Sequence, residues 1–170
     1  MAFKSESALK RAIEMEMEGK QFYLQSAEKV KSKLAKNVFK ELAKEEDFHI
    51  KTIKTIYGNL KKDKPFKEWV TTIGSSGKLE KVFNGSLVEK AKASEDDLKA
   101  LRFALDLEDK STKYYEGLAT ETKNAFERRF YLTLSYEEKG HYLKIMDSIE
   151  YLTDPVGWFY VKQGSMVDGG

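Results

Sequence analysis

Apolar residues recur at helical spacing in four stretches of the chain. Leu9, Ala12, Ile13, Tyr23, Ala27 and Val30 fall on one face of a first helix, and Leu101, Ala104, Leu105, Tyr115, Leu118 and Ala119 on one face of a third. Val38, Leu42 and Ile53 mark a second helix, and Phe130, Leu134 and Ile145 a fourth. Steps of three and four residues give a helix one apolar side, which must be buried against a partner. The stripes lapse at Lys31-Ser32-Lys33 and at Lys123-Asn124, so the helices pair as two antiparallel hairpins. Between the hairpins, Pro65, Gly74-Ser75-Ser76-Gly77 and Asn84-Gly85 concentrate the helix breakers of residues 59–94. A segment of that length can run back along the bundle as one long crossover. Ser94-Glu95-Asp96-Asp97 has the form of a capping box that opens the third helix, and Asp154-Pro155 ends the fourth. The expected architecture is an all-α four-helix bundle over residues 1–153, with a short tail over 154–170.

Each stripe is interrupted by an acid at one level. Shifting the chain by 92 positions lays residues 12–53 on residues 104–145 without a gap, so that Glu16 meets Glu108 and Glu46-Asp47-Phe48-His49 meets Glu138-Lys139-Gly140-His141. These two Glu-x-x-His strings contain both histidines of the chain. A three-residue step places Glu and His on one helix face, about one turn apart. Glu16 lies about 22 Å before the first turn and Glu46 about as far after it, at 1.5 Å per residue, which levels them in the hairpin. The same holds for Glu108 and Glu138. Glu14 and Glu18 fall on the charged side of the first helix, and Glu45 and Glu137 stand one position off their stripes, where a solvated carboxylate is expected.

Composition narrows the chemistry open to this layer. The chain has 170 residues, 41% of them hydrophobic, and a formal charge of +2 with Lys and Glu interspersed, which fits one domain and points to neither nucleic acid nor an anionic membrane. No apolar run is long enough for a membrane helix, and the first ten residues have no signal-peptide core, so a cytoplasmic protein is expected. Cysteine is absent, which removes disulfides, thiolate zinc sites and iron–sulfur clusters. Any metal must sit on oxygen and nitrogen.

Four carboxylates and two imidazoles on apolar faces suit two divalent cations, whose charge cancels that of the acids. Three ligands per ion from each half, with Glu46 and Glu138 bridging, leave room for water, oxygen or peroxide; the oxygen-rich set favours iron or manganese over zinc.

The string Ala12-Ile13-Glu14-Met15-Glu16, followed by Gly19 and Phe22-Tyr23, and the two Glu-Glu-x-x-His strings resemble the rubrerythrin branch of the ferritin-like superfamily. The resemblance covers about residues 5–152. It implies that Glu16, Glu46, His49, Glu108, Glu138 and His141 hold two iron ions, with Tyr23 and Tyr115 beside them. Seven residues after Glu16 and Glu108, these tyrosines stand two turns along the same face, within reach of a metal-bound carboxylate. The implied activity is reduction of hydrogen peroxide or dioxygen by ferrous iron, protecting against peroxide. This chain departs from the family in two places. It lacks a cysteine-ligated iron domain, so electrons must come from an external donor such as rubredoxin. Ser111 stands where typical rubrerythrins carry an extra Glu, with Gly19 in the matching place of the first helix; the six-ligand set is then similar to that of bacterioferritin.

The expected function is therefore that of a di-iron oxidoreductase acting on hydrogen peroxide or dioxygen, as a homodimer whose helix pairs can swap. Two other functions fit the same residues. One is a ferroxidase or iron-storage protein assembled into a larger shell, and the other is a module stabilised by metal without turnover. Trp69 and the Gly157-Trp158-Phe159-Tyr160 cluster are expected to cap the bundle or join an oligomer, and Asp168-Gly169-Gly170 to form a frayed end.

Overall fold

The computed structural model describes residues 2–60 and 93–167. They form five helices: α1 (Ala2–Lys29), α2 (Lys33–Leu60), α3 (Glu95–Glu121), α4 (Ala125–Thr153) and α5 (Pro155–Val167). Among the described residues there is no strand. Residues 61–92 of the expected crossover, Trp69 and the Asp168–Gly170 end lie outside them.

Local chemistry places the ends of the helices. Ser32 bonds back to Ala35 N through its hydroxyl (3.3 Å) and starts α2 after a three-residue turn. Ser94 and Asp97 form a reciprocal capping box at the start of α3. Asn124 accepts from Phe126 N and Glu127 N at the start of α4. Asp154 ends α4 and at the same time accepts from Gly157 N (3.0 Å), so Pro155 stops one helix and sits at the first position of the next. The tail is thus helical from Pro155, and Trp158 packs edge-on against Tyr151 of α4.

Helix α1 packs along α2 and α3 along α4; the two hairpins meet where α2 faces α4 and α1 faces α3. The core is divided in two. One apolar cluster joins Tyr23, Ala27, Leu34, Phe39, Leu42 and Leu101 towards the α1–α2 turn. The other joins Leu9, Ala12, Ile53, Tyr115, Phe130 and Leu134 towards the α3–α4 turn. Burying each such large side chain is worth about 1.5 to 3 kcal/mol, which offsets the cost of the polar layer held between the clusters.

Candidate metal centre

That layer contains Glu16, Glu46, His49, Glu108, Glu138 and His141, none more than 3% exposed. Each lies on the buried stripe of its helix, at the level set by distance from the turn. Donor atoms of Glu16, Glu46, His49 and Glu138 lie within 4.8 Å of one another, and so do those of Glu46, Glu108, Glu138 and His141. Glu46 and Glu138 belong to both groups.

Both imidazoles turn Nδ1 towards the carboxylates. His49 Nδ1 lies 2.9 Å from Glu16 Oε2 and 3.4 Å from Glu138 Oε1. His141 Nδ1 lies 3.4 Å from both Glu46 Oε1 and Glu108 Oε1. The two rings are stacked, with centroids 5.4 Å apart. The tyrosines cross between hairpins: Tyr23 donates its hydroxyl to Glu108, and Tyr115 donates to Glu16.

The electrostatics are those of a site crowded with negative charge. Burial, reinforced by Glu46, raises the Glu16 carboxyl to about 8. Burial and the charges of Glu16, Glu108 and Glu46 push Glu138 well above the usual carboxylate range. Burial also acts against ionised Glu46, but hydrogen bonds from Glu16, His141 and His49 outweigh it and hold that carboxyl low. Burial disfavours charge on His49 and His141, yet the carboxylates around them win and hold both imidazoles well above their ordinary value. Protons therefore collect where cations would otherwise neutralise the acids.

The donor set fits a pair of metal ions on a second, geometric ground. Glu46 Oε2, Glu108 Oε2, Glu138 Oε1 and His141 Nδ1 are buried without a hydrogen-bond partner among the described residues. Polar atoms left unpaired at this density are costly in an apolar core, and all four belong to the layer.

Glu45 corrects the sequence-based expectation. It is not a solvated acid: its Oε2 lies 3.1 Å from His141 Nε2, and both its oxygens accept from Lys144 Nζ at 2.8 and 2.7 Å. Lys144 is only 5% exposed. Burial works against the Glu45 carboxylate, but hydrogen bonds and charge from His141 and Lys144 outweigh it and lower the group to about 2. An ionised acceptor at Nε2 keeps a proton on that nitrogen and leaves Nδ1 facing the layer. The signal was available in Lys144, a lysine three residues beyond His141 on the buried stripe of α4, which requires an acidic partner. Glu14 and Glu18 lie on the exposed side of α1, as the periodicity predicts.

Beside the layer, a cavity of about 150 Å³ opens between α1 and α3 and reaches Glu16, Glu46, Glu108 and Glu138. Gly19 and Ser111 form part of its wall.

An all-helical bundle with this Glu/His layer at its centre defines a ferritin-like protein with a site for metal ions. The chain belongs to the rubrerythrin family, whose model, described as Rubrerythrin, matches residues 7–144. Of the solved structures, a hypothetical protein from Pyrococcus furiosus is similar, with 25% identity, a TM-score of 0.64, and coverage of 88% of this chain and 90% of that one. No curated protein gives a match to this chain. Among the described residues, no helix is long and apolar enough to cross a membrane.

Proposed function

We propose that the protein is a di-iron oxidoreductase that reduces a peroxide or dioxygen and is re-reduced by an external one-electron donor. The observation that carries this reading is the sharing of Glu46 and Glu138 between two four-residue donor groups, with orphaned oxygens on both. Glu16 and His49 would complete one metal position, Glu108 and His141 the other. Bound there, two ferrous ions would supply the two electrons that, with two protons, convert hydrogen peroxide to two waters. The oxygen-rich donors favour iron or manganese over zinc.

The chain's own groups do the rest. Tyr23 and Tyr115 hold Glu108 and Glu16 from the opposite hairpin, fixing one oxygen of each and leaving the other for a metal. Glu45 fixes the ring of His141. Apolar clusters on both sides exclude bulk water from the layer, and the cavity between α1 and α3 is the route by which a small oxidant reaches it.

The test begins with the metal content of protein isolated without added metal. Protein loaded anaerobically with ferrous iron is then mixed with hydrogen peroxide or with dioxygen, and ferric absorption is followed. Two irons per chain, oxidised in the time of mixing and turned over repeatedly with a reductant, are expected. Iron that stays ferrous with both oxidants would sink the reading. Oxidation without turnover, in a particle large enough by light scattering to enclose a mineral, would assign the centre to iron storage instead.

A further inference from the structure

We propose that the cavity between α1 and α3 is a binding site for small alkyl hydroperoxides, a substrate class beyond hydrogen peroxide; the inference rests on the peroxide reading given above. Its volume is the first observation. At about 150 Å³ it far exceeds what hydrogen peroxide fills. By room alone this suffices for about six heavy atoms, since an enclosed apolar cavity of about 150 Å³ takes benzene; here the apolar wall is limited to Met15, Leu107 and the Tyr23 ring. tert-Butyl hydroperoxide also has six.

The wall changes character with depth. Arg11, Glu18 and Lys110 are exposed and form the mouth; Met15 and Leu107 are half-buried; the carboxylates of the layer close the inner end. A hydroperoxide has the matching division, with an apolar body for Met15, Leu107 and the Tyr23 ring and a peroxide head for the far end. Two small residues keep the space open. A Cβ at Gly19 would stand 3.9 Å from both Glu46 Cδ and the Tyr23 ring, in ordinary contact, so anything longer than alanine would enter the cavity. Ser111 does the same on α3.

Charge selects a neutral molecule. The mouth's cations are already engaged, Arg11 with Glu14 (3.2 Å) and Glu18 (3.5 Å), and Lys110 with Asp106 (2.5 Å). With two divalent ions balancing the inner carboxylates, the cavity offers an anion no unpaired positive side chain. Alkyl hydroperoxides are un-ionised at neutral pH. In the reaction the O–O bond breaks, two electrons come from the ferrous pair of the proposed centre, two protons are taken up, and the alcohol and one water leave.

Two arms test this with the full-length protein. In the first, the zinc-loaded form, which has no redox chemistry, is probed for tert-butanol by saturation-transfer NMR; binding is expected, and Ser111→Leu and Gly19→Leu are each expected to abolish it. In the second, reduced iron-loaded protein is assayed with tert-butyl hydroperoxide and hydrogen peroxide. The ratio of their kcat/KM values is expected to fall about tenfold or more in either variant, the penalty of blocking an apolar subsite. Absence of tert-butanol binding, or turnover of hydrogen peroxide without tert-butyl hydroperoxide, would overturn this inference and leave the peroxide reading intact. Failure of both peroxides to oxidise the iron would overturn both.

Discussion

Tyr23 on α1 hydrogen-bonds Glu108 on α3, and the repeat answers with Tyr115 on α3 bonding Glu16 on α1. Each hairpin therefore supplies the hydroxyl that holds the other hairpin's carboxylate. Both tyrosines are at most 1% exposed.

Tyr23→Phe and Tyr115→Phe should each destabilise the metal-free protein by about 1 to 3 kcal/mol, because a buried carboxylate oxygen loses a hydroxyl donor. The double variant should depart from additivity, since Glu16 and Glu108 belong to one cluster with Glu46 and Glu138. Urea unfolding of the four proteins completes the cycle. Additivity within error would mean that the two bonds act as separate surface contacts would.

The repeat matches His141 with His49 and Glu45 with Glu137 but puts Thr52 in place of Lys144, so the Lys144–Glu45–His141 arrangement is particular to one half. The two metal positions should then differ. Glu45→Ala is expected to weaken one metal of the pair about 10- to 100-fold, the usual cost of removing the group that orients a histidine ligand, and to leave the other nearly unchanged. Zinc titration calorimetry, resolved into two steps, reads this directly. Equal weakening of both steps would count against the asymmetry.

Protons held by the layer predict linkage to metal. Glu16 and Glu138 are shifted upward, as are His49 and His141, so at neutral pH the metal-free site retains protons that cations must displace. Metal binding should release more than one proton per pair of ions in weakly buffered solution, and affinity should rise with pH. At a free metal concentration 100 times Kd, each site should add about 2.7 kcal/mol of stability. His49→Ala with His141→Ala should lose the metal and that increment. Removing Glu46 and Glu138 as well should then recover stability, since unpaired buried carboxylates cost more than apolar side chains.

The site was legible in the sequence to the extent that it follows helical period. Glu16, Glu46, His49, Glu108, Glu138 and His141 lie on buried stripes, and distance from the turns fixes their level. Glu45 was not legible by that rule: it stands off the stripe, and its partner Lys144 comes from the other hairpin. The crossing of the tyrosines depends on how α1 and α3 are rotated against each other, which spacing along one helix does not contain. Pro155 reads as a stop because it breaks the hydrogen-bond ladder of α4, but the same residue is well suited to the first position of α5.

Asp97 is the point at which acid should loosen the bundle away from the metal layer. Its carboxylate accepts from Ser94 N (2.9 Å) at the start of α3 and from Lys31 N (2.8 Å) and Ser32 N (3.2 Å) in the α1–α2 turn, so one side chain ties the two hairpins together. The residue is 1% exposed. Burial acts against its charge, but the backbone donors at Ser94 and Lys31 outweigh it and hold the carboxyl below its ordinary value of 3.8. A folded-state value below the unfolded one means that the stabilisation is complete above the unfolded value and is lost as pH falls through the folded one. Asp97→Asn keeps an acceptor but removes the charge, and should cost about 1 to 3 kcal/mol at about pH 6. That difference from the wild type should shrink as pH falls below about 4 and through the folded-state value, where the wild-type carboxyl also takes up its proton. Urea unfolding of both proteins across this range measures it. A difference that stays constant throughout the acid range would place the loss in side-chain shape rather than in the charge that the three backbone N–H groups surround.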